Sequence, residues 1–386
     1  MKKQLFFFGL SFISFTATAQ VYRKDLTQNY INESKLCGGM DSILDRKGTW
    51  KKNADAVIFP DKTFPSRQFN QLNSRMDKIL PLFKEALPDL SGFEPRWYRV
   101  IDGTSYIPNG SIPYEFSSLY LTYYCNDNLK QILLGDETGT WVYVYINRLG
   151  WFCDKIDDWN INDDGKMIGI YSLPPKVGKW KETTLYAPFS RDSAHAVIVG
   201  HNGKLPWHTL TQKQYLTGLK NKWRDESLKK SDAYDESEEK MKKEIDKVSK
   251  STSPQAPKIK QTLEQQLKDF EAKKEGFKSS TRKYYDEEIK YIDDYFASAS
   301  AETLEQPAII DPKYNELKFR GTFGNDSNGT RLVAVGAKYF NTDLPRYVPQ
   351  FMVLYWRWTQ DPVSLRFKEQ FEKNFPLEKL KAMIDQ

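Results

Sequence analysis

The stretch Thr140-Trp141-Val142-Tyr143-Val144-Tyr145-Ile146 alternates strictly. In an extended chain Val142, Val144 and Ile146 share one face and Trp141, Tyr143 and Tyr145 the other, because successive side chains of a strand point to opposite sides. Its residues are β-branched or aromatic, the types that pack best on a pleated surface. Working upstream, Gly135-Asp136-Glu137-Thr138-Gly139 is a turn and Lys130–Leu134 another strand, behind the turn Asn126-Asp127-Asn128. Pro113–Cys125 carries Phe116, Leu119, Leu121 and Tyr123 in approximate alternation, and Trp97–Ile101 ends at Asp102-Gly103. Connections this short join antiparallel neighbours.

Before the strands, Phe69, Leu72, Met76, Ile79, Leu80 and Phe83 recur at helical spacing. They predict a helix over 66–86 that Pro81 kinks or divides. A helix followed by an antiparallel sheet makes a core only when laid across one face of it. In outline this resembles the cystatin-like or NTF2-like arrangement. That resemblance implies a fold and no activity.

Downstream, strands are expected at Met167–Tyr171, Thr183–Tyr186 and Ala194–Gly200, with turns at Pro174-Pro175 and Ser190-Arg191-Asp192. Arg331–Gly336 is a further strand. Phe351–Trp358 is almost continuously apolar, the pattern of a central strand buried on both faces. Asp361-Pro362 opens a last helix carrying Leu365, Phe367 and Phe371.

Between these strand regions lies a different kind of sequence. Charges of both signs interleave from Lys220 to Lys250 without a glycine, as on a solvated helix. Ser251–Pro257 breaks it and a second helix follows. There Leu263, Phe270, Phe277, Tyr284 and Tyr291 recur every seven residues, one seam of a heptad, expected to face Trp223, Tyr234, Met241, Ile245 and Val248. The fold class that results is α+β. Antiparallel sheets pack with helices, and a long antiparallel, coiled-coil-like helical hairpin is inserted. The expected organisation is a signal peptide at 1–19, an α+β domain at 20–149, a second β-rich domain from 150–210 and 306–386, and the hairpin at 211–305.

The chain begins MKKQLFFFGLSFISFTATAQ: two lysines, a short apolar run, and Ala17-Thr18-Ala19 before Gln20. That is the pattern of an export signal cleaved after Ala19, which places the protein in a periplasm or outside the cell. Formal net charge is +6, of which Lys2 and Lys3 supply two. So small and dispersed an excess points away from nucleic acid. No stretch is long enough to span a membrane as a helix. Of three cysteines, Cys125 and Cys153 end neighbouring candidate strands and are the pair expected if a disulfide forms, three buried thiols being the alternative.

No catalytic or cofactor motif is present. His195, His201 and His208 lack zinc-site spacing. Asn160–Gly165 resembles half of a calcium loop, but Tyr171 stands where the bidentate Glu is needed, so it reads as a hairpin turn. Gly321–Gly329 lacks the Lys-Ser/Thr of a phosphate loop and reads as a mobile loop. Candidate binding residues are Trp141, Tyr143 and Tyr145 on the strand and Phe270 and Phe277 on the hairpin. The expected function is non-catalytic binding of a protein partner, or self-association, through the hairpin or the aromatic strand face. A carbohydrate-acting enzyme or carbohydrate-binding protein is the alternative.

Overall fold

A computed structural model describes residues 28–58, 66–102, 110–188 and 193–386. The expected leader, its cleavage site, and the turn at 190–192 lie outside them. In chain order the elements are α1 (28–34), α2 (Met40–Leu44), β1 (Lys51–Lys52), β2 (Ala56–Ile58), α3 (Ser66–Asp77), α4 (Leu80–Ala86), β3 (Phe93–Asp102), β4 (Tyr114–Asn126), β5 (Gln131–Leu134), β6 (Trp141–Ile146), β7 (Asp154–Trp159), β8 (Ile168–Ser172), β9 (Lys176–Trp180), β10 (Thr183–Tyr186), β11 (Ala194–Gly200) and β12 (Trp207–Thr209). Then come α5 (Gln212–Ser249), α6 (Ala256–Ser298), α7 (Ala301–Leu304), β13 (Ile309–Ile310), β14 (Thr330–Val335), β15 (Phe351–Arg357), α8 (Pro362–Asn374) and α9 (Leu377–Lys381).

The chain divides into two compact units, one of residues up to Cys153, Pro174–Pro206 and Gly336–Gln386, the other of Asp154–Leu173 and Trp207–Val335. The first unit is built on one sheet in the order β1-β3-β4-β6-β15-β11-β10-β9, with β2 and β5 pairing on β3 and β4. β1 and β2 run parallel to β3, and the other pairings are antiparallel. Val142, Val144 and Ile146 do share a face. It is buried with Phe116, Leu354 and Val199 against α3, α4, α8 and α9. The helix across the sheet is thus present, and it divides before Pro81, which sits in the first turn of α4. Aromatic rings fill the layer: Tyr120 meets Phe367 at 4.3 Å and Phe83 meets Phe116 at 5.1 Å. Each such ring contributes about 2–3 kcal/mol on burial. Asp361 caps α8 by accepting from the Ser364 amide at 2.9 Å.

β15 is central, as its composition demands, but its neighbours correct the expected domain division. It lies between β6 (Leu354↔Val144) and β11 (Leu354↔Val197), so residues expected in separate domains form one sheet. Apolarity on both faces says that a strand is interior. It does not say which strands flank it.

The cysteine pairing is corrected too. The disulfide joins Cys37 to Cys125, with Cα atoms 5.8 Å apart, and Cys153 is buried outside it. Antiparallel register explains why. Tyr114 is opposite Ile146, so the end of β6 that leads to Cys153 meets the start of β4. Cys125 is eleven residues further along β4, on the order of 35 Å away at ~3.3 Å per residue. Cys37 instead closes the short helical turn after α1, and the Tyr30 hydroxyl donates to the carbonyl of Tyr123 beside it.

The second unit has a smaller sheet, β12-β14-β8-β7, with β13 pairing on β14. Ile170, Leu332 and Ala334 of that sheet pack with Tyr215, Leu219 and Trp223 of α5 and Tyr285 and Ile292 of α6. α5 starts in a reciprocal cap between Thr211 and Gln214. The 38 residues of α5 and 43 of α6 form the expected antiparallel pair, about 57 and 64 Å long at ~1.5 Å per residue. The glycine-rich segment is packed rather than loose. The Gly324 amide donates to Ile309 O at 2.8 Å, and a β-carbon at Gly329 would collide with the Ile309 side chain.

Candidate functional sites

The hairpin differs from a simple heptad pair. On α6 the side chains turned toward α5 include Phe270, Lys274, Lys278, Thr281, Tyr285 and Ile292, all buried or half-buried. Phe277, Tyr284 and Tyr291 are 43%, 54% and 44% exposed. The cause is geometric. A straight α-helix drifts about 20° per heptad against a strict seven-residue repeat. Over the four heptads from Leu263 to Tyr291 that is about 80°, enough to carry the seam from the interface to the outer surface. The expected seam therefore holds at Leu263 and Phe270, which are half-buried, keeps a contact with α5 at the partly exposed Phe277, and leaves the interface at Tyr284 and Tyr291.

Of the residues expected opposite it, Trp223 packs on Tyr285 at 5.7 Å and Tyr234 stacks on Phe277 at 5.9 Å. Next to Tyr234 and Phe277, ions take over part of the interface, while Met241, Ile245 and Val248 of α5 and Leu263 and Phe270 of α6 are half-buried nearer the tip. Lys278 Nζ donates to both oxygens of Asp235 at 2.7 Å, and Lys274 reaches Asp235 and, at 2.5 Å, Glu238. Hydrogen bonds from Lys274 and Lys278 hold the Asp235 carboxyl down to about 2. Lys242, then Lys274, hold Glu238 below its usual range. Acid and base at half-buried positions of both helices were the available signal. A search for apolar repeats passes over them.

These shifts give a signed expectation. Both carboxyls titrate below their unfolded values near ~4. Their contribution is complete above that pH and drains away as pH falls through the folded values, about 2 for Asp235. Amide exchange, corrected for intrinsic rates, should rise over 231–242 and 270–281 in that window. The Tyr215–Ile292 base should open later. Simultaneous opening of tip and base would show that the ion network does not hold the tip.

At the base, Arg320 grips Glu288 with two parallel bonds, Nη1 to Oε2 at 2.6 Å and Nη2 to Oε1 at 2.5 Å. The Glu288 side chain is only 7% exposed. The same guanidinium lies over the Tyr291 ring, 4.5 Å from its centre.

In the first unit, the sheet face opposite the helices carries the aromatic strand residues. Register puts Tyr98, Ser117, Tyr143 and Tyr355 in one row across four strands, with Glu115 beside Tyr145 and Arg357 beside Trp141. Trp141, Tyr143 and Tyr145 stack on one another at 5.6 and 5.3 Å, nearly parallel. Arg357 lies over the Trp141 ring and Arg148 over the Tyr145 ring. Gly150, at φ +57°, presses so close to the Tyr145 ring that a β-carbon there would collide with it. Burial pushes the Glu115 carboxyl up, partly offset by the Ser117 hydroxyl and by Arg148 at 3.7 Å.

The histidines are separated as strand geometry requires. His195 Nδ1 is 3.1 Å from Glu372, which also accepts from the Trp356 indole at 2.9 Å and Lys368 at 2.6 Å. At the other end of β11, His201 pairs with Asp385 in a cleft of about 640 Å³ that also takes in Thr183, Tyr186 and Lys381. Beside it, Tyr339 accepts from the His201 amide at 3.1 Å and donates to Gln350 O at 2.8 Å, and burial pushes its hydroxyl up to about 12. Glu182, which also lines the cleft, is 92% exposed in its side chain and lies 3.7 Å from Lys179. Among the described residues no group of three His, Cys, Asp or Glu side chains is placed to hold a metal, and no helix is long and apolar enough to cross a membrane.

The calcium-like segment forms the turn of the β7–β8 hairpin, Trp159 pairing with Ile168. Two of its side-chain oxygens are taken by α5: Asn221 donates to Asp163 Oδ1 at 2.8 Å and Gln214 to Asn162 Oδ1 at 3.3 Å. Comparison of the chain with models of protein families, with curated proteins and with solved structures finds no match.

Proposed function

We propose that this is an exported protein that acts by binding another protein chain through the outer face of its helical hairpin. The observation that carries the reading is the strip Phe277, Tyr284, Tyr291. Three aromatic side chains, each 43–54% exposed, lie along a helix held to α5 by ion pairs and by the Trp223–Tyr285 contact, with Phe277 also stacking on Tyr234 and Tyr291 lying under Arg320. Exposed aromatics on a rigid element lose little conformational entropy on binding, and they are the residue types that dominate interface energetics. Export rests on the leader at 1–19, and the Cys37–Cys125 disulfide suits an oxidising compartment.

Carbohydrate recognition by Trp141, Tyr143 and Tyr145 has less support. A sugar platform presents exposed ring faces, whereas Trp141 and Tyr143 are half-buried, Tyr145 is buried, and the three rings are stacked on one another.

The test is a benzophenone amino acid in place of Tyr284, expressed with the leader intact and irradiated in the living cell. A covalent adduct is expected from position 284 and none from the same probe at Lys250, on a chain whose N-terminus reads from Gln20. No adduct at 284 would sink the binding reading, and an N-terminus at Met1 would sink export.

A further inference from the structure

Phe277, Tyr284 and Tyr291 belong to a longer line. Lys273, Phe277, Ser280, Tyr284, Glu287, Tyr291 and Asp294 follow one another at alternating steps of four and three, all on α6 and all exposed. Such a line has the spacing of a heptad seam, with aromatic residues at one of its two positions and polar residues at the other. It runs beside the line that α5 covers and touches it at Phe277, whose ring also stacks on Tyr234, while Arg320 lies over one side of the Tyr291 ring.

Its order is self-complementary. Reading outward from Tyr284 in both directions, Ser280 matches Glu287, Phe277 matches Tyr291, and Lys273 matches Asp294. If two copies of α6 are laid antiparallel about a two-fold axis at Tyr284, hydroxyl meets carboxylate, ring meets ring, ammonium meets carboxylate, and Tyr284 meets itself. An isologous interface requires this symmetry, in which residue i contacts residue j and j contacts i. A parallel pairing would instead set Lys273 against Lys273 and Asp294 against Asp294. Gly276 flanks the seam, and a β-carbon there would meet nothing within 4 Å. A mid-helix glycine costs about 1 kcal/mol against alanine. No contact within the chain calls for it, but a second backbone approaching beside the Tyr291 ring of the other copy would.

We infer that the chain forms an antiparallel homodimer through this seam. The inference rests on the proposed use of the hairpin and names its partner as a second copy. The seam from Lys273 to Asp294 is about 32 Å long at ~1.5 Å per residue, three heptads of contact. Lys290, on its flank, is held by Asp294 at 2.6 Å within the same helix and leaves the second carboxylate oxygen to the opposing Lys273.

Sedimentation velocity of the purified exported chain across the micromolar range tests it. The wild type should pass from monomer to dimer with concentration, and Tyr284→Lys should remain monomeric. Lys273→Asp and Asp294→Lys each set like charges face to face twice per dimer and should weaken association about tenfold or more. The two together restore opposite charges and should recover it to within about threefold of wild type. These positions are exposed, and unchanged helicity by circular dichroism checks folding. A wild type that stays monomeric, or a double swap that fails to recover, overturns the dimer. The adduct at position 284 separates this outcome from failure of the binding reading: an adduct of unlike mass refutes the second copy and keeps binding, whereas no adduct removes both.

Discussion

Replacing Cys37 and Cys125 together by serine is expected to lower the stability of the first unit by about 4 kcal/mol, because the disulfide closes a loop across a sequence separation of 88. The denatured chain gains the conformational freedom that the cross-link removed. The α1 segment is also released from the end of β4, where the Tyr30 hydroxyl meets Tyr123 O. Denaturant unfolding followed by tryptophan fluorescence measures the loss, and a Cys153→Ser chain should unfold as the wild type does apart from a small packing cost. Peptide mapping under non-reducing conditions should find residues 37 and 125 joined. Recovery of a 125–153 link, or an unchanged midpoint in the double serine chain, would refute the assignment.

Arg320→Ala is expected to cost about 3–5 kcal/mol in the second unit, since it strands a carboxylate whose side chain is 7% exposed. The Glu288 oxygens lose both guanidinium bonds and have little access to water. Removing both charges, as Glu288→Leu with Arg320→Met, should cost far less, because an apolar pair of similar volume avoids the desolvation penalty altogether. Thermal unfolding of the three chains decides the point. If the single and double variants fall equally, the ion pair is not what holds the base of the hairpin.

These expectations rest on contacts that differ in how far the sequence announces them. Trp141–Ile146 announces its two faces, because side-chain direction in a strand depends only on the residue's place in it. Pro81 announces a break, because the ring removes a donor and clashes with the preceding turn. Phe351–Arg357 announces an interior strand. The 38- and 43-residue helices are equally local, set by charge interleaving, caps and the break at Ser251–Pro257. In the hairpin, Leu263 and Phe270 follow the expected seam, Phe277 still meets Tyr234 at its margin, and Tyr284 and Tyr291 turn outward, since the drift of a straight helix accumulates with length. The polar zipper of Asp235, Glu238, Lys274 and Lys278 is invisible to a reading that looks for apolar repeats, because lysine and carboxylate at an interface look the same in sequence as on a solvated face.

Short-range pattern therefore carries the α+β class, the α5–α6 hairpin, and strands β3 to β6 and β15 with their faces, while β7, β9 and β12 leave no clear mark in it. Which segments become neighbours is settled in the assembled core. β15 enters between β6 and β11, residues 154–173 leave the first sheet for the second unit, and Cys125 meets Cys37 rather than Cys153. The reason is physical. Periodicity is set by backbone geometry within a few residues. Strand order and disulfide partners are set by packing between segments a hundred or more residues apart, or nearly so, where many strands present equally apolar faces and only the assembled core selects among them.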